Sequence, residues 1–190
     1  MDVGIIINPV AGRHHPRAAY SRTELAKKVL GVEGLDGEVR LTDGRGSAYA
    51  IAAEMIDSGA RTVVAWGGDG TINEVANATV DTGTTLGVVP GGSGNGFARG
   101  LRLENQPELA LKTALTGPTR FIDAGEIDNR LFVNVAGVGF DAHLAGVFNH
   151  LRVRGVWSYF LSGMRELFTY RASSYTVCSE GQEFTMDAFL

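Results

Sequence analysis

Short apolar runs alternate with segments of helical periodicity through the first two thirds of the sequence. Consecutive apolar residues such as VGIII at residues 3–7 are typical of a buried strand. In the segments between them, residues such as Ile51, Ala52 and Met55 share one helical face. Strands that alternate with amphipathic helices are typical of a parallel sheet with helical crossovers. The pattern predicts strands at residues 3–7, 38–42, 62–66 and 85–90, and helices at residues 17–30, 47–58, 72–78, 97–101 and 107–115.

The pattern changes after the TGP sequence that ends the last of these helices. Two β-hairpins are predicted there, at residues 120–140 around Asp128-Asn129 and at residues 174–190 around Gly181-Gln182. Between them, residues 155–170 predict a helix whose apolar stripe favours core packing over an acyl pocket or a membrane-facing surface. We therefore predict an α/β fold, with a parallel-sheet domain at residues 1–117 followed by the start of a β-rich second domain at residues 118–190.

Composition narrows the class of protein. The sequence is 44% hydrophobic and 20% charged, which is typical of a folded protein. Its net charge of −4 argues against a broad nucleic-acid-binding face, which needs a dense basic patch. Cys178 is the one cysteine of the sequence, which excludes an intrachain disulfide and favours a reducing compartment. The sequence has neither a signal-like start nor an apolar run near the roughly 18 to 20 residues of a membrane span, so we expect a soluble cytoplasmic protein.

Glycine-rich loops follow three of the predicted strands. They are NPVAG at residues 8–12, GGDG at residues 67–70 and GGSGNG at residues 91–96. In an open parallel sheet, the carboxyl ends of the strands form the edge where ligands bind. A helix N-terminus after such a loop presents unpaired N–H groups to a phosphate, and here Gly70, Thr71 and Ile72 are the candidates. The three loops together predict an extended polyphosphate site.

Asp69, inside the second loop, has a purely structural alternative. Thr71 and Glu74 match the capping-box pattern, in which Thr caps a helix and a Glu three positions later bonds back to it. Asp69 would then only favour the helix dipole. Other motifs fail in detail: no lysine completes a Walker A sequence, and Asn95 stands where a nucleophile elbow around Ser93 needs glycine.

Three motifs in this order resemble the diacylglycerol kinase catalytic-domain family, which includes bacterial lipid kinases and sphingosine kinases. They are NPVAG, GGDGTINEV and GVVPGGSGNGFARGL. GGDGT alone is shared with NAD kinases and phosphofructokinases, and the other two motifs narrow the choice. LTDGRGSAYAIA, FIDAGEI and FVNVAGVGFDA resemble further family segments, so that the resemblance covers roughly residues 3–142.

The resemblance implies a kinase with ATP and Mg²⁺ in a cleft between an α/β domain and a β-rich lipid domain. Asp69 would be the catalytic acidic residue, as general base or as a metal partner through water. Asp141 and His143 could line the cleft, or be solvated or capping residues. The substrate would be a hydroxyl of diacylglycerol, a sphingoid base or a related lipid, met at a membrane surface, and the protein a homodimer or dependent on a further C-terminal part. The ATP-binding residues carried over by motif are Asn8, Pro9, Val10, Ala11, Gly12, Thr42, Gly67, Gly68, Asp69, Gly70, Thr71, Ile72, Asn73, Gly92, Ser93, Gly94 and Asn95.

The sequence departs from the family at two points. Many bacterial members have Asp where this chain has Gly96, and in this respect the chain resembles sphingosine kinases. Family members also carry a later Gly-Glu segment whose glutamate is proposed as general base, and this sequence has no equivalent of it. Two alternatives therefore stay open: a nucleotide-binding fragment or regulatory module without catalysis, and an enzyme similar to NAD kinases.

Overall fold

The computed structural model describes residues 1–12, 18–137, 139–140, 142, 173–179 and 181–188. The chain forms two compact units, Met1–Asn134 and Val135–Leu190. A functional boundary near Gly117 stays a prediction. The predicted helix at residues 155–170, and the candidate residues Asp141 and His143, lie outside the described residues.

The first unit contains a four-stranded parallel sheet in the order β2-β1-β3-β4. Helices connect and flank the strands, and small antiparallel sheets follow, which confirms the predicted fold class. The strands are β1 (Val3–Ile7), β2 (Gly37–Leu41), β3 (Thr62–Gly67) and β4 (Thr85–Pro90). The helices are α1 (Ala18–Glu33), α2 (Ser47–Asp57), α3 (Asp69–Thr79), α4 (Gly96–Gly100) and α5 (Pro107–Thr116).

The apolar core lies on both faces of this sheet. Alternate residues of a strand point to opposite faces, so Ile6 packs with α2 and α3, whereas Ile5 and Ile7 pack with α1 and α5. Along β3, Val63 and Trp66 are divided between the two faces in the same way. Because helices cover both faces, the inner strands β1 and β3 are continuously apolar, whereas the edge strand β2 alternates with the polar residues Glu38 and Arg40.

The first predicted hairpin is shorter than its sequence pattern indicates. Its strands are β5 (Gly125–Ile127) and β6 (Arg130–Phe132), joined by Asp128 and Asn129. Both turn residues have positive φ, 50° and 59°, as a tight hairpin turn requires. The turn is confirmed, but the extension of the strands over residues 120–140 is wrong. Phe121 and Val135 are fully or mostly exposed, so longer strands would have had no buried face there.

In the second unit, β7 (Ser173–Ser179) and β8 (Gln182–Ala188) form an antiparallel pair, which confirms the second predicted hairpin. Gly181 stands in its turn with φ of 79°. Of the helices that the structure describes, none combines the length and the apolar character needed to cross a bilayer.

Candidate functional site

The predicted glycine loops meet at the carboxyl edge of the sheet. β1 lies between β2 and β3 in the sheet. The chain therefore passes from β1 to β2 on one side and continues with β3 and β4 on the other side of β1. Ligands of open α/β sheets bind where the strand order reverses in this way. The loop after β1 begins with Asn8, and the turn after β3 contains Gly68, so the two lie side by side. The loop of residues 91–95 follows β4 on the far side of β3.

Asn8 joins the first loop to helix α3. Its Nδ2 atom donates a hydrogen bond to Thr71 Oγ1 at 2.9 Å, and its Oδ1 atom accepts one from the Val10 N–H at 3.0 Å. The Asn8 N–H also donates to the carbonyl of Trp66 at 2.9 Å. With these bonds, the Asn8 side chain fixes the shape of its own loop and the position of Thr71, which is buried.

Glycine allows the three loops to touch backbone to backbone. A Cβ atom on Gly12, whose φ is 78°, would lie 2.7 Å from the Gly91 carbonyl oxygen. A Cβ atom on Gly92 would lie 2.6 Å from Gly68 Cα, a distance that side chains do not tolerate. The Gly91 N–H donates to the Gly67 carbonyl at 2.8 Å. These glycines are therefore needed for the packing of the loops, whatever they bind.

Asp69 is the first residue of α3, and its carboxylate reaches the start of α4. Oδ2 accepts a hydrogen bond from the Gly96 N–H at 3.0 Å, and Oδ1 accepts one from the Phe97 N–H at 2.9 Å. The residue is half-buried. Hydrogen bonds from N–H groups to a carboxylate are stronger than those between neutral groups. Asp69 therefore anchors the third loop in addition to any chemistry it performs.

The third loop is closed by the side chain of Asn95. Its Oδ1 atom accepts a hydrogen bond from the Gly92 N–H at 2.8 Å, and its Nδ2 atom donates to the Gly92 carbonyl at 3.0 Å. Asn95 has φ of 52°, a left-handed conformation that Asn tolerates better than most residues. Ser93 and Gly94 form the exposed tip of the loop.

Gly96 lies close to the side chains of Asn134 and Asp69. A Cβ atom there would lie 2.8 Å from Asn134 Nδ2 and 3.7 Å from Asp69 Oδ1. An aspartate at this position would displace Asn134 and place a second negative charge beside Asp69. A larger residue at position 96 would therefore require the Asn134 side chain to move.

The predicted capping box at Thr71 and Glu74 is wrong. Helix α3 begins at Asp69, with Gly68 as its N-cap residue, so Thr71 is already inside the first turn. Its hydroxyl accepts the bond from Asn8. Glu74 turns to the neighbouring helix, where its carboxylate accepts hydrogen bonds from the N–H groups of Gly46 at 3.0 Å and Ala48 at 3.1 Å.

Several other candidate residues have structural surroundings that limit what they can offer a ligand. Ile72 is fully buried, and its N–H donates to the Gly68 carbonyl, so this donor is used within α3. Asn73 Nδ2 points to the Leu131 carbonyl of β6, at 3.4 Å. Thr42 is buried beside the end of β1, where its N–H donates to the Ile7 carbonyl. Pro9 and Ala11 belong to the first loop. All of these stay predicted binding residues.

Sequence reasoning did not single out Arg22, which hydrogen-bonds to two carbonyl groups of the first loop. On α1, its Nη1 donates to the Asn8 carbonyl and its Nη2 to the Ala11 carbonyl, both at 2.9 Å. Partial burial lowers the pKa of the Arg22 guanidinium from its ordinary value. The signal in the sequence is weak, because an arginine on an amphipathic helix is normally a solvated residue.

At this edge of the sheet, the described residues offer a divalent metal ion one carboxylate, that of Asp69. No group of three His, Cys, Asp or Glu residues comes together in the part of the chain that the structure describes. Among the described residues, each oxygen of the Asp69 carboxylate accepts one protein N–H, so each keeps a lone pair. Mg²⁺ is commonly bound by one or two carboxylates together with phosphates and water. Asp69 could hold such an ion directly or through water.

Comparison with known proteins gives consistent results. The family described as "Diacylglycerol kinase catalytic domain" matches residues 2–127. The chain is 34% identical over 193 residues to a diacylglycerol kinase of Bacillus subtilis, covering 98% of this chain and 62% of the relative. It is 36% identical over 139 residues to a protein of Chromohalobacter salexigens named "Probable lipid kinase YegS-like", covering 70% of this chain and 45% of that relative.

A solved structure of a diacylglycerol kinase from Bacillus anthracis shows the same fold. Its TM-score is 0.72 at 24% identity, over 99% of this chain and 62% of that one. The chain thus spans between 45% and 62% of the length of these proteins.

Proposed function

The chain belongs to the diacylglycerol kinase catalytic-domain family, and from this premise we propose that it is the nucleotide-binding part of an ATP-dependent lipid kinase. The observation that carries the proposal is the packing of the glycine loops around the N-terminus of α3. Gly12 packs against Gly91 and Gly68 packs against Gly92, so that three strand-end loops form one continuous backbone surface. Such a surface suits a polyphosphate, which is bound by N–H groups rather than by a hydrophobic pocket.

The phosphates would bind at the start of α3. The first intrahelical bond of α3 is donated by Ile72, so the N–H groups of Gly70 and Thr71 precede the helical bonding pattern. Gly70 is exposed, and a Cβ atom there would have open space around it, which leaves room for a phosphate to approach. On the other side, Ser93 and Gly94 at the tip of the third loop would offer a hydroxyl and further N–H groups.

The remaining candidate residues have supporting roles in this proposal. Asn8 and Asn95 shape the first and third loops, and Thr42 lies at the end of the neighbouring strand. The complete proposed set is Asn8, Pro9, Val10, Ala11, Gly12, Thr42, Gly67, Gly68, Asp69, Gly70, Thr71, Ile72, Asn73, Gly92, Ser93, Gly94 and Asn95.

Asp69 would be the acidic residue of phosphoryl transfer. Transfer depends mainly on alignment and on neutralisation of charge, and the general base only needs to accept or orient the proton of the attacking hydroxyl. The carboxylate of Asp69 has a lone pair left on each oxygen for that proton or for water. When bound, Mg²⁺ would offset the charge of the β- and γ-phosphates.

The acceptor would be a hydroxyl of diacylglycerol, a sphingoid base or a related lipid, met at a membrane surface by a cytoplasmic protein. The names of the two relatives, a diacylglycerol kinase and a lipid kinase, support this class of substrate. A homodimer, or a requirement for further sequence, belongs to the same proposal. A second candidate is a nucleotide-binding module that does not turn over by itself.

Calorimetry with ATP, with and without Mg²⁺, tests the nucleotide site in this chain. Phosphorylation assays with diacylglycerol, sphingosine and NAD as separate acceptors test the reaction. Binding with transfer to a lipid supports the kinase, and binding without transfer supports the nucleotide-binding module. Transfer to NAD alone would assign an activity like that of NAD kinases. If ATP does not bind, both the kinase and the module are contradicted.

A further inference from the structure

Glu74 links two helices that lie side by side on one face of the sheet. Its carboxylate leaves α3 and accepts hydrogen bonds from Gly46 and Ala48, at the start of α2, at 3.0 and 3.1 Å. These two residues are 28 and 26 positions away in the sequence. Glu74 is half-buried, and Ala48 is buried in the core. The contact is therefore a fixed one between two packed elements.

The start of α2 depends on this carboxylate. The N-cap residue of α2 is Gly46, with φ of 77°, which has no side chain to satisfy the first N–H groups of its helix. Acceptors at a helix N-terminus satisfy these donors and interact favourably with the helix dipole. Glu74 therefore caps α2 from a different helix, and the carboxylate takes the place at α2 that an anionic ligand would need.

Helix α2 directly follows the loop of residues 42–46, which contains Thr42, one of the proposed binding residues. Residues 42–46 connect β2 to α2, and the loop is held at its first residue by the bond from Thr42 to Ile7. Its other end is held at Gly46 by Glu74. A third bond, from the Asp43 N–H to Ser47 Oγ at 3.3 Å, joins the loop to the first turn of α2. Without Glu74, the loop would lose its anchor to α3, and a ligand that needs the ordered loop would lose affinity by the cost of ordering it.

We propose that Glu74 is a positioning residue for nucleotide binding, which holds residues 42–46 in place against α3. The inference rests on the proposed ATP site. It predicts that Glu74→Gln raises the ATP dissociation constant about tenfold, since Gln has only one oxygen to accept the two N–H groups. A tenfold change is about 1.4 kcal/mol, within the range typical of a helix cap.

The test is calorimetry of ATP binding, with hydrogen exchange at the Gly46 and Ala48 amides as a second readout. Glu54→Gln is the matched charge control, because Glu54 is exposed on α2 and contacts Arg40 instead of the loop. Val75→Ala controls for lost stability, because Val75 is fully buried on α3 beside Glu74. The expected result is weaker ATP binding and faster exchange in Glu74→Gln alone, with the two controls within about twofold of the wild type.

The outcomes separate this inference from the proposed function. If the wild type does not bind ATP, the proposed nucleotide site and the inference both fail. If the wild type binds and Glu74→Gln binds equally well, only the role of Glu74 is overturned. Equal weakening in Val75→Ala would also overturn it, because the effect would then follow stability. If Glu74→Gln does not fold, Glu74→Asp replaces it, since its carboxylate is one methylene too short to reach both amides.

Discussion

The Oδ1 atom of Asp69 accepts a hydrogen bond from the backbone N–H of Phe97 at 2.9 Å, across 28 positions of sequence. Together with the bond from Gly96, it fastens the start of α4 to the start of α3. The residue that we propose for the chemical step is thus also the residue that holds the third loop. Experiments on Asp69 have to separate these two roles.

Substitution of Asp69 by Asn should abolish lipid phosphorylation while the protein stays folded. Loss of a general base typically lowers kcat by a factor of about 100 to 10,000. The amide keeps one oxygen for the backbone N–H groups, so ATP affinity should fall less than in Asp69→Ala. Initial rates, calorimetry and circular dichroism measure these effects. Asp81→Asn is the control, because Asp81 is exposed and has positive φ, which Asn tolerates. Retained turnover in Asp69→Asn would leave Asp69 as a loop anchor only.

Replacement of Gly70 by Ala should weaken ATP binding without unfolding the protein. A Cβ atom there meets no protein atom within 4 Å, so a loss of affinity reports the approach of a ligand. Gly31→Ala is the matched control, because Gly31 lies on α1 with equally open surroundings. It should raise the free energy of unfolding by about 0.5–1 kcal/mol and leave ATP affinity unchanged. Calorimetry and urea denaturation give both quantities. Unchanged affinity in Gly70→Ala would place the phosphates elsewhere.

The hydrogen bond between Asn8 and Thr71 should appear as a coupling energy in a double-mutant cycle. Asn8→Ala and Thr71→Val each remove one partner of the 2.9 Å bond. The interaction energy from urea denaturation should be about 1 kcal/mol, typical of a neutral hydrogen bond.

Lys28→Ala combined with Thr71→Val is the control pair for this cycle, because Lys28 is exposed on α1 and contacts Glu108. Its two effects should add within about 0.5 kcal/mol. A coupling near zero between Asn8 and Thr71 would contradict the proposed link between the first loop and α3.

Glu104 should make the stability of the chain depend on pH in the acid range. The N–H groups of Gln106 and Asn105, in that order of effect, lower the pKa of Glu104 below its ordinary value of 4.5. A carboxyl group with a lowered folded-state pKa stabilises the fold above its unfolded-state pKa, and this contribution is lost as the pH falls through the folded-state value. The difference in unfolding free energy between wild type and Glu104→Gln should therefore be constant near neutral pH and shrink below about pH 4.5. NMR titration of the Glu104 carboxyl checks the direction, and a pKa at or above 4.5 would contradict it.

The parallel sheet was predictable because both of its faces are buried. Continuous apolar runs such as Val3–Ile7, separated by segments of helical periodicity, have few other structural solutions. The loops that follow the strands were therefore placed correctly at one edge. The first hairpin was predicted too long, because apolar residues such as Phe121 and Val135 extend the pattern although nothing in the first unit covers Phe121.

The links between the loops were not predictable from local patterns. Thr71 and Glu74 match a capping box, but their partners are 63 and 28 positions away, at Asn8 and Gly46. Arg22 likewise donates hydrogen bonds to carbonyls of the first loop, and the residue pattern of helix α1 does not indicate these bonds. Side-chain to backbone bonds of this range depend on the tertiary arrangement, so a pattern of residue types within one helix does not determine them.

Helix α3 bonds to each of the other loops through a different side chain, and this restricts how the protein could be re-engineered. A loop transplanted from a relative would have to fit the α3 side chain that is already present here: Thr71 for the first loop, Glu74 for the loop of residues 42–46 and Asp69 for the third loop. A loop that lacks the matching hydrogen-bond partner would leave a polar group of α3 unpaired, with a cost of about 1–3 kcal/mol where that group is buried. The smallest unit that can be exchanged intact is therefore α3 together with its loops.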